Sequence, residues 1–139
     1  MDRTLVLIKP DGVARGLTGE LIARLERKGL RIVAMKMFHM SQDLAHRHYA
    51  VHKGKPFFPG LVGFITSGRL VAIIFEGPRA VEAVRQVMGA TDPVKADMGS
   101  IRGDLGLDIE HNLIHGSDSP ENAELEMELF FEAGEILGR

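Results

Sequence analysis

The sequence of 139 residues contains no cysteine. The protein therefore has no disulfide framework, no thiolate zinc site and no cysteine nucleophile, and this composition fits a reducing compartment. No apolar run approaches the roughly 18 residues that a membrane-spanning helix needs. The first residues lead directly into an apolar segment, without the long hydrophobic region and cleavage site of a signal peptide. We therefore expect a cytoplasmic protein with no membrane partner.

Two common phosphate-binding motifs are also absent. The segment Gly12–Gly16 is not followed by the Lys-Ser/Thr of a P-loop, and no Gly-x-Gly-x-x-Gly opens a helix. A nucleotide bound here would have to be held by side chains. Lys9, Arg85 and Arg102 lie where they could do so, because arginine forks match phosphate oxygens. Taken singly, each of these cations is more typical of a solvated surface charge.

Charge is segregated along the chain. Residues 1–103 hold 16 basic and 9 acidic residues, whereas residues 104–139 hold 1 and 10, so that net charges of +7 and −9 make up the total of −2. This distribution excludes a generally basic, duplex-coating protein. Hydrophobic residues form 45% and charged residues 26% of the chain, which is ordinary globular composition. The length predicts a single domain over residues 1–139.

Hydrophobic periodicity divides the chain into alternating strands and helices. Strands are predicted at Thr4–Ile8, Leu30–Phe38, Arg69–Phe75 and from Leu107 to a stop at Gly116, with loops at 9–12 and 90–106. Five helices are predicted: from Thr18 to Gly29, from Ser41 to about His52, from the Pro56–Gly60 turn to Ser67, from Pro78 to Gly89, and from Ser119 and Pro120 onward. Thr18 and Ser119 are the candidate N-caps, and Pro120 fits the first helical position. This order predicts an α+β sandwich of the split βαβ, ferredoxin-like type, and a small doubly wound sheet is the alternative.

Glu126 breaks the pattern of the last helix. Its spacing from Ala123 and Phe130 places it on the apolar face, where a carboxylate is rare unless it is paired. Either it lies at the edge of the face and reaches water, or it orients a buried donor. His115 is the obvious donor, because it ends a strand and only a short turn separates it from this helix. A neutral histidine fixed through one nitrogen has the other free to attack, although a lone histidine is more often structural.

The remaining aromatic and histidine residues give weaker signals. Phe57 lies in a turn and could present its face to a base or fill the core. His46, His48 and His52 do not share one helical face, so a metal site built from these three is not expected.

Taken together, the motifs resemble those of the nucleoside diphosphate kinase family. The octapeptide Asn112–Ser119 (NLIHGSDS) is similar to the family's active-site signature. Further matches in the family's order and spacing cover essentially all 139 residues: TLVLIKPDG at Thr4–Gly12, Arg15-Gly16, Lys28-Gly29, His48-Tyr49, PFFPGL at Pro56–Leu61, Ser67-Gly68, Gly77, Met88-Gly89, Thr91, Pro93 and IRGD at Ile101–Asp104.

The resemblance implies a ferredoxin-like sandwich with a four-stranded antiparallel sheet covered by helices. It also implies transfer of the γ-phosphoryl group of a nucleoside triphosphate, usually ATP, to a nucleoside diphosphate, by a ping-pong route through a phosphohistidine. His115 matches the phosphorylated residue, Glu126 the carboxylate that fixes its ring, and Ser117 a residue bonded nearby. The implied cofactor is Mg²⁺, held mainly by nucleotide phosphates, with Asp118 helping through water.

The resemblance also assigns the nucleotide contacts. The positions that match phosphate-binding residues are Lys9, Tyr49, Arg85, Thr91 and Arg102. Lys9 and Asn112 match those that contact the ribose hydroxyls. Phe57 matches the ring stacked on the base, with Leu61 and Ile109 around it. Stacking without base-edge hydrogen bonds accepts any base, so we expect broad base tolerance.

The resemblance further implies a homo-oligomer, tetrameric or hexameric. The short chain, with Arg139 as its last residue, favours the tetramer. The alternative function is a non-catalytic ferredoxin-like nucleotide-binding module, which predicts a lost nucleophile or orienting group. Nucleic acid is not expected as the main partner, since no aromatic-rich RNA-binding motif is present.

Overall fold

The computed structural model describes residues 1–137 and shows one four-stranded sheet packed between helices. The strands are β1 Asp2–Ile8, β2 Arg31–His39, β3 Arg69–Gly77 and β4 Ile114–Gly116. The helices are α1 Pro10–Ala14, α2 Thr18–Arg27, α3 Gln42–His48, α4 Phe58–Ile65, α5 Ala80–Met88, α6 Ile101–Leu105 and α7 Pro120–Phe130, with short 3₁₀ turns at Ala50–His52 and Ala133–Glu135. No helix among these residues is long and apolar enough to span a membrane.

The sheet has the order β2-β3-β1-β4, and each neighbouring pair is antiparallel. This is the split βαβ, ferredoxin-like arrangement, so the predicted α+β fold is confirmed. The doubly wound alternative is wrong, because such a sheet would be mostly parallel. The two central strands, β1 and β3, are almost continuously apolar and buried, as expected for strands covered on both faces.

Two hydrophobic clusters form the core, one on each face of the sheet. Val6 and Ile8 of β1 belong to the cluster under α2 and α5, whereas Leu5 and Leu7 belong to the one under α3, α4 and α7. This alternation follows the two-residue period of a strand. The C-terminal end of β1 and the N-terminal end of β4 lie side by side, since Ile8 pairs with Ile114.

Helix caps explain several of the predicted boundaries. The Ser41 hydroxyl accepts a hydrogen bond from the Leu44 N–H at the start of α3, and the Ser119 hydroxyl accepts one from the Asn122 N–H at the start of α7. Pro120 occupies the first turn of α7, where a missing N–H costs nothing. The predicted starts of these two helices are confirmed.

Two boundaries near the N-terminal half are corrected. Residues 9–12, predicted as a loop, lead into α1, because Pro10 fits the first helical position and the Val13 N–H reaches the Lys9 carbonyl. Thr18 is not an N-cap, because it is the first residue of α2 and Leu17 is the flanking residue.

The region before the signature octapeptide differs more. The predicted strand from Leu107 to Gly116 begins too early, because Leu107 and Ile109 are 82% and 54% exposed and the part that pairs with β1 is Ile114–Gly116. Asp108 accepts the His111 N–H at 2.7 Å and fixes a turn there. The predicted loop over 90–106 contains α6, capped by the Ser100 hydroxyl. The alternation of apolar and polar residues that begins at Leu107 therefore belongs to a turn at its start and not to a strand.

Candidate active site

A strand, a turn and a helix bring His115 and Glu126 together. His115 is the middle residue of β4 and pairs with Leu7 of β1. Gly116 follows it because α5 packs closely there: an added Cβ would lie 2.6 Å from Met88 Sδ and 2.9 Å from Val84 Cγ1. The chain then turns into α7, whose second turn carries Glu126 back toward β4.

The carboxylate of Glu126 bonds to two side chains of the octapeptide. His115 Nε2 donates to Oε2 at 3.1 Å, and Ser117 Oγ donates to Oε1. Burial alone would raise the pKa of Glu126, but the hydrogen bond and charge of His115, with the bond from Ser117, hold it below its ordinary value. An ionised carboxylate only accepts hydrogen bonds, so the ring proton sits on Nε2. In the neutral ring, Nδ1 of His115 then keeps a lone pair.

A strained turn precedes β4 and fixes its position. Leu113 has a φ of +76°, and the Ile114 N–H donates to the Asn112 carbonyl at 2.9 Å, which is a classic γ-turn, rare for a bulky residue. The Leu113 N–H donates to Asp11 Oδ2, and its carbonyl accepts the Lys9 N–H at 2.9 Å. The start of α1 and the entry to β4 are thus held together from both sides.

Lys9 lies at the end of β1 against this turn. Its Nζ donates to Asn112 Oδ1 at 2.8 Å, and Asn112 Nδ2 donates to the Thr91 carbonyl at 3.0 Å. Burial, and then the positive charge of Arg102, lower the pKa of Lys9 to about 8. A cation so destabilised has a strong tendency to bind an anion.

Arg102 is the most buried cation of the site, with 4% exposure. It donates to three backbone carbonyls: Asn112 and Gly89 at 3.2 Å each, and Ile114. It thus ties α6 to the C-terminal end of α5 and to both sides of the γ-turn. Burial, and then the charge of Arg85, lower the pKa of Arg102 to about 10, so the group remains cationic at neutral pH.

A cavity of about 500 Å³ joins these groups. The residues of the predicted site that line it are Lys9, Tyr49, Arg85, Thr91, Arg102, Asn112, His115, Asp118 and Glu126. Ser117 is buried beneath and reaches the cavity through Glu126. Burial raises the pKa of Tyr49 to about 12, so its hydroxyl stays protonated and able to donate. One cavity therefore contains the His115 ring and several cationic or neutral hydrogen-bond donors.

The three predicted base contacts lie outside the lining of this cavity. Phe57 is 51% exposed, with its ring 5.2 Å from that of His52, which does line the cavity. Leu61 lies half-buried on α4, and Ile109 lies in a separate depression beside Asp92 and Asp108. The phosphate-binding part of the predicted site is thus compact, whereas the base-binding part is open surface.

A model of the nucleoside diphosphate kinase family matches residues 2–136. The chain belongs to this family. It is similar to the nucleoside diphosphate kinases of Parafrankia sp., at 62% identity over 94% of this chain and 95% of that one, and of Pelotomaculum thermopropionicum, at 57% over 99% and 92%. Among solved structures it resembles a halophilic nucleoside diphosphate kinase from Halobacterium salinarum in complex with CDP, with a TM-score of 0.96 and 52% identity, over 99% of this chain and 92% of that one.

At this identity over the whole chain, the protein is a nucleoside diphosphate kinase, a phosphotransferase. The alternative of a non-catalytic nucleotide-binding module is discarded. Nucleotide kinases generally use a divalent metal ion, and the cavity fits an ion that is held mainly by phosphates. Of its two lining carboxylates, Glu126 is engaged by His115, and only the exposed Asp118, bonded by Asn122 Nδ2, remains. Mg²⁺ commonly binds through one or two carboxylates and substrate phosphates.

Sequence reasoning missed one residue of this nucleoside diphosphate kinase site. The His48 side chain is 2% exposed and its ring lies edge-on to His115 with centroids 5.0 Å apart. Burial, and then the charge of His115, lower the pKa of His48 to about 3, so it is neutral. The sequence signal for this placement was spacing: His48 follows Leu44 by four residues and Ala45 by three, which places it on the inner face of α3. His46 does not lie on that face.

Proposed function

We propose that this enzyme works by ping-pong transfer of the γ-phosphoryl group of a nucleoside triphosphate through a phosphohistidine at His115. The observation that carries the proposal is the bond from His115 Nε2 to an ionised Glu126, which in the neutral ring leaves the lone pair on Nδ1, within a cavity lined by cations. Parallel initial-velocity lines when both nucleotides are varied would support it. Intersecting lines would show a ternary complex and contradict it.

The transfer follows from these positions. The Nδ1 lone pair attacks the γ-phosphorus, the bond from that phosphorus to the β–γ bridging oxygen breaks, and the diphosphate leaves with the bridging electrons. As the ring gains positive charge, Glu126 stabilises it through the Nε2 proton, and Ser117 holds the carboxylate in place. A nucleoside diphosphate then reverses the step with its own β-phosphate oxygen.

The cations offset charge on the phosphoryl oxygens. Lys9, Arg85 and Arg102 line the same cavity as His115, and Tyr49 and Thr91 add hydroxyl donors there. Phosphoryl transfer depends mainly on such positioning and charge stabilisation. We propose Mg²⁺ as the metal ion, which would neutralise nucleotide phosphates with Asp118 nearby.

Nucleotide contacts away from the phosphates complete the proposal. Asn112 and Lys9 would meet the ribose, because they are bonded to each other and line the same cavity as the proposed phosphate-binding residues. The exposed ring of Phe57 would stack on the base, with Leu61 and Ile109 around it, and any base would be accepted. The relative from Halobacterium salinarum was solved with CDP, which supports nucleoside diphosphate binding here.

We also propose an assembly state and a cellular location. The whole chain would act as one kinase domain in the cytoplasm and as a homo-oligomer, with a tetramer preferred to a hexamer. Exposed apolar side chains support association: Met35 and Met37 on β2, and Val94, Met98 and Leu107 before the octapeptide. Native mass spectrometry distinguishes the two assemblies.

Replacing Glu126 by glutamine should lower kcat about 10- to 100-fold. The amide keeps the shape but cannot carry the charge that stabilises the phosphorylated ring, and carboxylates that orient a metal-binding histidine through its second nitrogen have effects of this size. Glu124→Gln, on the exposed face of the same helix, is the matched control and should retain full activity. Equal activity of both variants would remove Glu126 from the mechanism.

Nucleotide affinity should fall as pH rises through about 8. The free enzyme loses the Lys9 proton near that pH, whereas a bound phosphate favours the ammonium, so binding takes up a proton and weakens as protons become scarce. Calorimetry of nucleoside diphosphate binding between pH 7 and 10, in buffers of different ionisation enthalpy, measures this uptake. Lys9→Met should bind more weakly but lose this part of the pH dependence; an unchanged profile would contradict the assignment.

A further inference from the structure

His48 is a buried histidine to which the proposed transfer gives no role. Its Nδ1 is buried and has no hydrogen-bond partner among residues 1–137. This atom lies 3.7 Å from Glu126 Oε2, and that oxygen lies 3.1 Å from His115 Nε2. At 3.7 Å the His48 nitrogen is too far from the carboxylate for a hydrogen bond. A buried polar atom in this position needs another partner.

The three side chains present the donor set of a transition-metal site. One ligand atom from each of His48, His115 and Glu126 lies within 4.8 Å of the others. Tetrahedral ligands about 2.1 Å from Zn²⁺ are about 3.4 Å apart, and the two measured edges, 3.1 and 3.7 Å, bracket that value. We propose that these residues bind Zn²⁺ or a divalent ion of the same borderline-soft class, with water as the fourth ligand.

The ligand atoms of this site differ in type from those that would bind the nucleotide's metal ion. Two imidazole nitrogens and one carboxylate suit zinc, cobalt or copper, whereas Mg²⁺ prefers six oxygens and keeps much of its water. The site lies on the Nε2 side of His115, and the phosphoryl group would be carried on Nδ1. The two ions therefore do not compete for the same ligands.

Occupancy would inhibit phosphorylation, a consequence that rests on the proposed function. When the ion binds Nε2, the ring proton moves through solvent from Nε2 to Nδ1, because a neutral imidazole keeps one N–H. Nδ1 then has no lone pair with which to attack, and the Nε2–H bond to Glu126 is lost. Zn²⁺ would thus act as an inhibitor bound behind the nucleophile.

Calorimetric titration of the full chain with Zn²⁺, in the absence of nucleotide, tests the binding. We expect one tight equivalent per chain, weakened at least about tenfold in His48→Ala because one of three protein ligands is lost. His46→Ala removes an exposed histidine from the same helix and should bind Zn²⁺ as the wild type does. Equal affinity in wild type and His48→Ala would overturn the proposal.

Ring ¹⁵N spectra of the unaltered protein give an answer that does not depend on any variant folding. Zn²⁺ should shift the signals of His48 and His115 but not that of His46, and unmoved signals for the first two at saturation would overturn the site. Quenched-flow phosphorylation should be slowed by prior Zn²⁺ in the wild type and not in His48→Ala. If the protein is phosphorylated normally but binds no Zn²⁺, the zinc site is contradicted and the proposed function stands. If it binds Zn²⁺ but is never phosphorylated, the proposed function is contradicted and the zinc site stands.

Discussion

Replacing His115 by alanine should lower the rate of phosphoryl transfer by at least about four orders of magnitude, because losses of this size follow removal of a covalent nucleophile. The ring is part-buried, so the fold should tolerate its removal. Transfer from ATP to a nucleoside diphosphate, measured with a coupled assay, gives the effect on kcat. Nucleotide affinity, measured separately by calorimetry, should change little, since the phosphate-binding cations remain in place.

Two controls make this result specific. His111→Ala removes an exposed histidine four residues away, whose partner is Asp108, and should leave turnover unchanged. Added free imidazole should restore part of the activity of His115→Ala by filling the vacated space. Turnover of His115→Ala within tenfold of the wild type would contradict phosphorylation at this residue.

Replacing Arg102 by alanine should damage both stability and activity. Three carbonyls that now accept its guanidinium would lose that partner inside the protein. The Asn112 carbonyl still accepts the Ile114 N–H, so two carbonyls are left unsatisfied. At roughly 1–3 kcal/mol each, we expect a loss of about 2–5 kcal/mol in the free energy of unfolding. Removal of a charge-stabilising donor should also lower kcat about 10²–10³-fold.

Denaturant unfolding and steady-state kinetics together separate the two effects. Arg85→Ala is the matched variant, because Arg85 is exposed and makes a single carbonyl bond, to Gly116 at 3.3 Å. It should lose activity with little change in stability. Arg102→Lys keeps the charge but cannot reach three carbonyls, so it should remain destabilised. Wild-type stability of Arg102→Ala would contradict the structural role of this side chain.

The sequence predicted the parts of the molecule that local chemistry determines. Ser119 and Pro120 mark the start of α7, and spacing along that helix places Glu126 on its inner face. The short turn after His115 then predicts that the two side chains meet, which they do. The alternation of strands and helices favoured the α+β sandwich but left a doubly wound sheet as the alternative, so the resemblance to the family was needed for the antiparallel sheet and the nucleotide contacts.

What the sequence did not predict depends on long-range contacts. The γ-turn at Leu113 is held by Asp11, about a hundred residues earlier in the chain. In the segment before this turn, apolar and polar residues alternate as in a strand, but β1 pairs with Ile114–Gly116. His48 was assessed only against its neighbours on α3, whereas its contact is with His115 across the fold. Contacts between residues far apart in the chain depend on how the whole fold packs, so a local sequence pattern does not predict them.

The most direct test of the central claim is to locate the phosphate on the enzyme. Wild-type protein mixed with Mg²⁺ and γ-labelled ATP, then quenched in alkali within milliseconds, should carry about one acid-labile phosphate per chain. Peptide mass spectrometry and ³¹P spectra should place it on Nδ1 of His115, and an added nucleoside diphosphate should remove it as fast as the enzyme turns over. Label on another residue, or label that forms or leaves more slowly than turnover, would contradict the account.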